Sequence, residues 1–558
     1  MRARMKQRFM QFAAAVLAAV LMASAVPLAV FAAGEDNDSV VRIGIAYGSS
    51  AVYAANLRNV TGSGYQLGYY DSDRNFVSVA ETGTTAITVL KTQNIYLANG
   101  VYTTSAPQSD YSVIGCYHVD LPGTFDSFAA AQKEAAAWKD GFPAWISGEY
   151  HVRVGAFATR AEAEERLQTI AVGGASIKGT STNGVSVVET GSTSILLQFD
   201  GGGGRSFAVQ PKSISGEKTV TAYGGNQYYG GFQFQRLSSN MNVVNFVELE
   251  DYIKGVLPYE MSASWPLEAL KAQAVCARNY ALLNLNKHKS YGFDLCSSVD
   301  CQTYYGLGRA NDNSDRAAEK TQGVYLNYDG KPAQVFYYAS NGGASEDVYN
   351  VWGSQYPYLK GVEDPYEASV AGNISGYNWT VTYTADQLTQ QLNKKGYACG
   401  TIVRFEVTER SATGNVIAIT FTDENGKNVY LTRERVRTVL GLRSQRYSVT
   451  AAGGTEETGY SVIGGGTLPA LSGRYAAQGS GTVSAVSGEN VYVVTGSGVQ
   501  PIEKNDGTES ATGTSFTLSG SGYGHHVGMS QWGAYAMAKQ GLTYDKILQF
   551  YFAGTTLG

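Results

Sequence analysis

Glycine outnumbers proline by 66 to 12 in this chain, and that imbalance limits the folds that the chain can adopt. Glycine permits tight turns, whereas scarce proline argues against extended polyproline spacers. The composition therefore predicts short strands, tight turns and flexible connections. The 558 residues, 44% of them hydrophobic, exceed what one hydrophobic core usually serves and argue against wholesale disorder. We expect two or more folded units.

The charge of the chain excludes one class of function. Its formal net charge is −5, only 16% of its residues are charged, and four of its cations lie in the first eight residues. A nucleic-acid-binding protein needs a basic face to bind phosphates, and none is visible here. The 39 tyrosines and the uncharged polar composition favour carbohydrate as a ligand.

The first 33 residues have the pattern of a targeting segment. Basic residues precede an apolar run over residues 12–33, which closes on the small-x-small sequence Val30-Phe31-Ala32. This order is typical of a cleaved export signal. The run of 22 residues is also long enough for a retained membrane anchor, although Pro27 and the many alanines favour cleavage. In both cases we expect the rest of the chain to work outside the cytoplasm.

Two segments follow the targeting segment. Residues 39–104 contain short β-branched runs between turns and are predicted to be strand-rich. Residues 110–175 show a strand followed by a helix twice, and Thr159 is placed to cap the second helix. The part from Tyr150 to Glu164 resembles the SPOR domain, a peptidoglycan-binding module with a ferredoxin-like fold. The alternative is a generic α+β insertion.

Residues 180–558 mix helices and strands. Ser264 and Pro266 mark the start of an Ala-rich helix, and residues 450–515, rich in Gly, Ser and Thr, predict strands and long loops. Ser530 and Thr543 are placed to cap two short C-terminal helices. We therefore expect an α+β protein: a mixed helix and strand domain with strand-rich extensions and an inserted ferredoxin-like unit.

Glu260 is a candidate general acid. It lies among Leu257, Tyr259, Met261 and Trp265, just before the predicted helix. Loss of hydration among such neighbours would raise the pKa of its carboxyl, whereas a nearby helix N-terminus would lower that pKa. The sequence does not decide between these effects, and a solvated or capping glutamate is the alternative.

A second candidate region is the glycine-rich loop at residues 520–534. Its glycines would let the backbone approach a ligand closely, and His525, Ser530, Gln531 and Trp532 offer groups to contact it. For His525 the alternative is a hydrogen bond that only packs the loop.

Several blocks occur in the same order as in one protein family. They are VNFVELEDY (244–252), LPYEM (257–261), AQAV (272–275) followed by Arg278, VWG (351–353) and GHHVGMSQWGA (524–534). The chain thus resembles the stage II sporulation protein D and LytB amidase-enhancer family over residues 39–104 and 180–558. The resemblance implies a lytic transglycosylase that cleaves peptidoglycan glycan strands, with Glu260 as its catalytic residue. The implied substrate-binding residues are Tyr259, Arg278, Ser340, Gly342, Gly343, Trp352, His525, Ser530 and Gln531.

One carboxylate is enough for that chemistry. A glycoside hydrolase needs two, whereas a lytic transglycosylase needs an acid for the leaving oxygen and lets the C6 hydroxyl of the sugar close an anhydro ring. Asp251 is the second carboxylate nearby in sequence, and we expect its role to be structural.

The chain departs from the family at several positions. His526 replaces a glycine of the C-terminal motif, and where family members often have a His and a Cys before a Gly-Gly pair, this chain has Tyr338-Ala339-Ser340-Asn341-Gly342-Gly343. Cys296 and Cys301 lie near a position where some members resemble zinc binders, but Asp300 occupies the histidine position. Zinc held with a further ligand such as His288, and a disulfide, are the alternatives. We expect less than one equivalent of zinc and no required cofactor.

Two other functions compete with the enzyme. One is a non-catalytic wall-binding protein that recruits or enhances a cell-wall amidase, which the altered loop residues favour. The other is a peptidase using Cys276 and His525. It is disfavoured because Cys276 lies well inside a predicted helix, where a thiolate gains nothing from the helix N-terminus.

Overall fold

A computed structural model describes residues 40–236, 240–452 and 509–558, together with the backbone of short strands between 460 and 501. The predicted targeting segment at residues 1–33 lies outside the described residues. Over the described chain helices and strands are mixed, so the predicted α+β class is confirmed. None of the described helices is long and apolar enough to cross a membrane.

Residues 40–236 consist mostly of strands. In chain order the elements are β1 (Val40–Ala46), β2 (Ala54–Thr61), β3 (Tyr65–Tyr70), β4 (Phe76–Thr82), β5 (Ala86–Lys91), β6 (Ile95–Ala98), β7 (Val101–Thr103), β8 (Ser112–Ile114), β9 (Tyr117–Asp120), α1 (Phe128–Ala135), β10 (Gly141–Ile146), β11 (Glu149–Phe157), α2 (Arg160–Ile170), β12 (Ser176–Lys178), β13 (Val185–Glu189), β14 (Ile195–Asp200), β15 (Phe207–Pro211), β16 (Val220–Tyr223), β17 (Asn226–Tyr228) and β18 (Gly231–Gln235).

Residues 240–452 carry most of the helices. The elements are β19 (Asn242–Glu248), α3 (Leu249–Glu260), α4 (Leu267–Leu283), β20 (Leu295–Cys296), α5 (Asp312–Glu319), β21 (Leu326–Tyr328), β22 (Lys331–Pro332), β23 (Tyr337–Tyr338), α6 (Val348–Trp352), β24 (Asn378–Thr384), α7 (Ala385–Lys394), β25 (Ile402–Arg410), β26 (Val416–Asp423), β27 (Asn428–Thr432), α8 (Arg435–Thr438) and β28 (Tyr447–Ala452).

The C-terminal part begins with short strand pairs and ends in two helices. The elements are β29 (Tyr460–Ser461), β30 (Thr467–Leu468), β31 (Tyr475–Ala477), β32 (Val483–Ala485), β33 (Tyr492–Thr495), β34 (Gly498–Pro501), β35 (Glu509–Thr512), β36 (Ser515–Ser521), β37 (Met529–Ser530), α9 (Gln531–Lys539), α10 (Tyr544–Tyr551) and β38 (Thr556–Leu557). Between residues 453 and 508 only the backbone of β29–β34 is described, so the predicted strands occur there and the predicted long loops lie outside the described residues.

A seven-stranded sheet joins the beginning of the chain to the region of Glu260. Its order is β20-β1-β19-β18-β15-β3-β4, and β1 pairs antiparallel with β19 and parallel with β20. Because β19 leads directly into α3, this sheet fixes the start of the helix that carries Glu260 at its end. Helices α3 and α4 then bury their apolar faces in the large core that the sheet also lines.

The predicted SPOR-like unit is built from β9–β12, α1 and α2. It has a small core of its own, made by Val119, Leu121, Val152 and Val154 with alanines of α1. Thr159 caps α2, as predicted, and forms a capping box with Glu162. The unit is also continuous with its surroundings, because β10 pairs parallel with β14 inside a ten-stranded sheet. Its assignment as a SPOR domain stays a prediction.

A second lobe follows the Glu260 region. Strands β24, β36 and β28 form one sheet, β27, β26, β25 and β35 form another, and α7 and α8 complete a separate hydrophobic core. Strand β36 lies in the middle of its sheet and runs directly into the glycine-rich loop, so this lobe holds one end of that loop in place.

The separate core of the SPOR-like unit makes a prediction about fragments. A fragment of residues 110–180 should fold alone, because its core residues and both helices lie within it. A fragment of residues 110–175 should be less stable, since it lacks β12, which pairs with β9 at Ile177 and Val119. Thermal unfolding followed by circular dichroism compares the two. Equal stability, or no cooperative transition in the longer fragment, would contradict this prediction.

Candidate active site

Glu260 is the last residue of α3, and not part of a turn before a helix as the sequence suggested. Pro258 in the last turn is tolerated because it removes only one helical hydrogen bond. Its presence nevertheless argues against a helix when only the sequence is considered, which is why α3 was not predicted. The next helix, α4, begins at Leu267. Glu260 therefore lies at the negative end of its own helix dipole, which disfavours the carboxylate.

The carboxyl of Glu260 is surrounded by hydrogen-bond donors. The backbone N–H of Thr303 donates to Oε1 at 2.7 Å, and Nε2 of Gln531 donates to Oε2 at 3.4 Å. The hydroxyl of Tyr337, which also lines the cleft, favours the ionised form as well. Burial raises the pKa of Glu260, and these donors oppose that rise because they stabilise the ionised form. The result is a partly desolvated carboxyl whose pKa lies above its ordinary value.

Glu260 opens into a cleft of about 660 Å³. Aromatic and polar side chains from several separate chain segments line it, and they include Tyr280, Thr303, Phe336, Tyr337, Trp352, Tyr523, His525 and Gln531. Tyr523 is 52% exposed at the rim, and its loop is held by backbone hydrogen bonds in both directions with Ser340. An exposed aromatic ring on a rigid loop suits stacking against a sugar ring.

His525 lies on the wall of the cleft in a neutral form. Its ring packs against Trp352 at 4.9 Å and against Tyr338 at 5.4 Å between centroids. The N–H of Val527 donates to its Nδ1 at 3.0 Å, so the proton of the neutral ring is on Nε2. Burial lowers the pKa of His525 to about 3, which makes it a hydrogen-bond donor at neutral pH and not a cation.

A buried carboxylate supports the wall that carries His525 and Gln531. Glu367 accepts hydrogen bonds from the hydroxyls of Ser340 and Ser530 at 2.5 Å each and from the N–H groups of Asn341 and Gly342. Ser530 also caps α9 by accepting from the N–H of Gly533. This Glu367 cluster joins two motif loops that are far apart in sequence.

Several residues predicted to bind substrate do not reach the cleft. Ser340 and Ser530 are fully buried and belong to the Glu367 cluster. Gly342 has a φ of 65° and packs so tightly that an added Cβ would lie 2.6 Å from Ser521, so its role is to let two loops touch. Gly343 donates its N–H to Asn341. These residues shape the wall and are not among those that line the cleft, and their role in binding substrate stays a prediction.

Arg278 and Tyr259 also lie outside the cleft lining. Arg278 is fully buried, and its guanidinium binds both carboxylate oxygens of Glu250 at 2.7 Å. This bidentate pair ties α4 to α3. Tyr259 donates to the carbonyl of Tyr305 and carries Arg309 over its ring. Trp352, His525 and Gln531, in contrast, line the cleft with Glu260.

The competing catalytic groups are not in the cleft. Asp251 is buried near the start of α3, where Lys218 binds it at 2.5 Å. Nine residues of helix separate it from Glu260, about 13 Å along the axis. Cys276 is fully buried in α4, and burial raises the pKa of its thiol, so a peptidase using Cys276 has no support.

A group of metal-ligating side chains borders the cleft. His288, Cys296, Asp300 and Cys301 place their ligand atoms within 4.8 Å of one another. Nε2 of His288 lies 3.3 Å from Sγ of Cys301 and 3.2 Å from Oδ2 of Asp300, and both cysteines are free thiols. Ligands of a tetrahedral zinc are about 3.5 Å apart, so the set fits zinc. Bound there, zinc would fix the wall segment that brings Asp300 and Cys301 into the cleft.

Sequence reasoning missed three residues of this site. Thr303 donates to Glu260 and Tyr337 lines the cleft beside it, both from segments that carry no recognised motif, and Glu367 lies between motifs in a 3₁₀ segment. Only Tyr337 had a signal, since it directly precedes the unusual Tyr338-Ala339-Ser340 sequence.

Comparisons with known proteins place the chain in a family. The family profile described as Stage II sporulation protein matches residues 237–328, which contain α3, α4 and the cysteine pair, and a domain of unknown function (DUF8618) matches residues 371–467. An uncharacterised protein of Brachyspira hyodysenteriae is 30% identical over 341 residues, covering 60% of this chain and 73% of that protein.

Two named relatives come from Bacillus subtilis. The amidase enhancer is 31% identical over 63% of this chain, and stage II sporulation protein D is 25% identical over 57% of it. The matches cover 47% of the amidase enhancer and 77% of the sporulation protein, so the chain spans about half the length of the former. The chain belongs to the SpoIID/LytB family.

The four-ligand set makes a prediction about metal content. Because His288 supplies the nitrogen that Asp300 cannot, we now expect close to one equivalent of zinc after purification without chelator, more than the sequence alone suggested. Cys296→Ser should lose the metal, and Cys399→Ser, outside the set, should keep it. Elemental analysis measures both. A zinc-free wild-type protein after incubation with zinc would contradict the assignment.

The Glu367 cluster makes a prediction about stability. Glu367→Gln keeps the size of the side chain but turns an amide NH₂ toward hydroxyl and N–H donors, and each unsatisfied buried group costs about 1–3 kcal/mol. We expect a clearly lower midpoint of thermal unfolding. Glu319→Gln, at an exposed helix end, is the matched control and should change little. Equal midpoints in both variants would show that the cluster does not hold the wall.

Proposed function

We propose that the chain is a peptidoglycan lytic transglycosylase, with Glu260 as acid and then base. The observation that carries the proposal is a partly desolvated carboxyl with a raised pKa at the bottom of an aromatic cleft. Such a carboxyl keeps its proton closer to neutral pH than an ordinary glutamate, which general acid catalysis requires. The family membership and the relatives named for sporulation support a role in the cell wall.

The proposed reaction needs one proton donor. Protonated Glu260 gives its proton to the glycosidic oxygen as the bond from that oxygen to C1 breaks, and positive charge develops on the sugar. The C6 hydroxyl of the same sugar attacks C1, and its proton passes to Glu260. The products are a strand with a 1,6-anhydro end and a strand with a free hydroxyl, and the enzyme regains its starting state.

The other cleft residues have distinct proposed tasks. Thr303 and Gln531 stabilise the Glu260 anion that forms when the proton leaves. Trp352, Tyr523 and the neutral His525 provide stacking surfaces and a hydrogen-bond donor for uncharged sugars. Asp300 also borders the cleft, but it is paired with Lys287 and His288 at 3.2 Å each and so is not a free nucleophile.

The proposed location and binding follow from the N-terminal part of the chain. We propose export through the segment at residues 1–33, by cleavage or as a membrane anchor, and binding of glycan strands by the SPOR-like unit. Deletion of that unit should weaken binding to purified cell walls and leave turnover of short soluble glycans largely intact.

The second candidate function is a non-catalytic enhancer of a cell-wall amidase. It is favoured by the relative named amidase enhancer and by the altered residues Tyr338, Asn341 and His526. In that case the cleft would bind glycan without cleaving it, and an amidase would be the partner.

A comparison of three carboxyl variants tests the proposal. Glu260→Gln keeps shape and hydrogen-bonding capacity but cannot transfer a proton, so glycan cleavage should fall by about 10²- to 10⁴-fold while binding persists. Asp251→Asn, away from the cleft, and Asp300→Asn, at its border, should keep most of the turnover. Mass spectrometry of anhydro-muramic products on glycan strands provides the measurement.

Three outcomes would change the assignment. A wild-type protein that binds strands and yields no anhydro products favours the enhancer. A dead Asp300→Asn variant, together with hydrolytic products in place of anhydro products from the wild type, would point to a two-carboxylate hydrolase. Anhydro products from Glu260→Gln would show that another residue is the general acid.

A further inference from the structure

Trp352 is a cleft residue that the second lobe holds in place. It is the last residue of α6 and lines the cleft together with Glu260. Its ring packs edge-on against Phe336 at 4.7 Å and is tilted against His525 at 4.9 Å between centroids, and both of these residues also line the cleft. Trp352 is only half-buried, so part of its surface is open to a ligand.

A carboxylate of the second lobe binds the indole N–H. Nε1 of Trp352 donates to Oε2 of Glu434 at 2.9 Å, and Nη2 of Arg437 donates to Oε1 of the same carboxylate at 2.6 Å. Both bonds involve a charged group and are therefore stronger than ordinary hydrogen bonds. Because each oxygen has its own partner, the carboxylate cannot turn without losing a bond. Glu434 thus offers the indole an acceptor in a fixed position.

Two further contacts hold residues 433–437 against the end of α6. The backbone N–H of Glu434 donates to the carbonyl of Val351 at 3.2 Å. The guanidinium of Arg433 lies over the ring of Tyr349 at 5.3 Å, and a Cβ added to Gly353 would lie 2.5 Å from its Nη1. Gly353 has a φ of 78°, so it supplies both the turn after α6 and the room for the arginine. Backbone and side chains of the second lobe therefore both pack against this helix end.

The orientation of the indole affects how well it can bind an uncharged sugar. A sugar ring stacks on an aromatic face, and an aromatic ring that is already held in its binding orientation costs less to order when the ligand arrives. With Nε1 bound to Glu434, the polar edge of Trp352 is turned toward the second lobe. Without that partner the indole can turn about its side-chain bonds, and the binding orientation becomes one of several.

We propose that Glu434 is a positioning residue: through its bond to Nε1 of Trp352, the second lobe fixes the orientation of the indole in the cleft and so raises the affinity for glycan strands. Glu434 lies within residues 371–467, the match to a domain of unknown function, so this contact gives that domain a task at the cleft. The inference rests on the proposed function for its ligand, whereas the orientation of Trp352 can be measured without any ligand.

Glu434→Ala is the test variant, because it removes the acceptor and leaves the tryptophan unchanged. When the full chain is labelled with 5-fluorotryptophan, its six tryptophans give fluorine signals, and the signal of Trp352 is the one that Trp352→Phe lacks. We expect Glu434→Ala to shift and broaden this signal, since the ring loses its fixed hydrogen bond. Glu434→Gln still offers an oxygen to Nε1 and should stay closer to the wild type.

The same variants test the effect on binding. Affinity for short soluble glycan strands is measured by calorimetry in the Glu260→Gln background, where strands should bind without being cleaved. Glu434→Ala should weaken this binding by about 2- to 10-fold, because the freed indole must be ordered again. In the chain that keeps Glu260 the KM should rise and kcat should change much less, since the contact acts on binding and not on proton transfer.

Glu406→Ala is the matched control. Glu406 also lies in the second lobe, is partly buried and binds an arginine, Arg404, at 3.0 Å, but its carboxylate has no bond to Trp352. This variant should leave the Trp352 signal and the affinity unchanged. Circular dichroism checks folding, and Glu434→Asp, whose side chain is one methylene shorter, replaces the alanine variant if that variant does not fold.

The outcomes separate this inference from the proposed function. An unmoved Trp352 signal in Glu434→Ala, or a moved signal with unchanged affinity, overturns the role of Glu434. A moved signal and weaker binding, together with a wild type that forms no anhydro products, support that role and overturn the enzyme. Absence of glycan binding in both the wild type and the Glu260→Gln protein overturns the proposed function, and with it the effect of Glu434 on affinity.

Discussion

The geometry of the cleft depends on two buried carboxylates that have no cation as a partner among the described residues. Glu367 is satisfied by hydroxyl and N–H donors, and Asp364 accepts from Nδ2 of Asn341 at 2.6 Å and from the hydroxyl of Tyr551 at 2.5 Å. A buried anion without partners costs several kcal/mol, so each donor is strongly constrained in position. The Ser340–Gly343 loop, α9 and α10 are thereby locked to one another. Gln531, the residue after the Ser530 cap, can then face Glu260.

Two opposing effects determine the pKa of the Glu260 carboxyl. Burial and the C-terminal end of α3 disfavour its charge, while Thr303, Gln531 and Tyr337 favour it. A site with burial alone would hold the proton too tightly to release it, and a site with donors alone would lose the proton before substrate binds. The donors come from three segments that the Glu367 cluster and the sheets bring together, so the balance is a property of the whole fold and not of the α3 sequence.

The sequence predicted the elements whose signals are local. The cap at Thr159, the cap at Ser530 and the α+β class follow from side chains that act on their own backbone, and each is present. Helix α3 was missed because Pro258 marks a helix end in sequence, while in the fold it lies in a last turn that packs against the core.

The substrate-binding role predicted for Ser340, Ser530 and Arg278 came from the family motif. A motif reports that a residue is needed and does not distinguish a cleft contact from a buried hydrogen bond. His288 was only one possible further zinc ligand in sequence and Tyr337 had no assigned role, because only the fold brings His288 to Cys301 and Tyr337 to the cleft of Glu260.

The change at His526 does not weaken the case for an enzyme. The residue has a φ of 63°, a left-handed conformation that explains why glycine suits this position and that histidine can adopt at modest cost. Its side chain is fully buried and points toward Asn415, 3.4 Å from Nδ1, and its carbonyl accepts from the N–H of Glu346. The imidazole is thus on the far side of the loop from the cleft, where it packs against Tyr338. His526 therefore changes the buried support of the loop and does not line the cleft, whereas Tyr338, the other unusual aromatic side chain, borders the cleft together with Glu260.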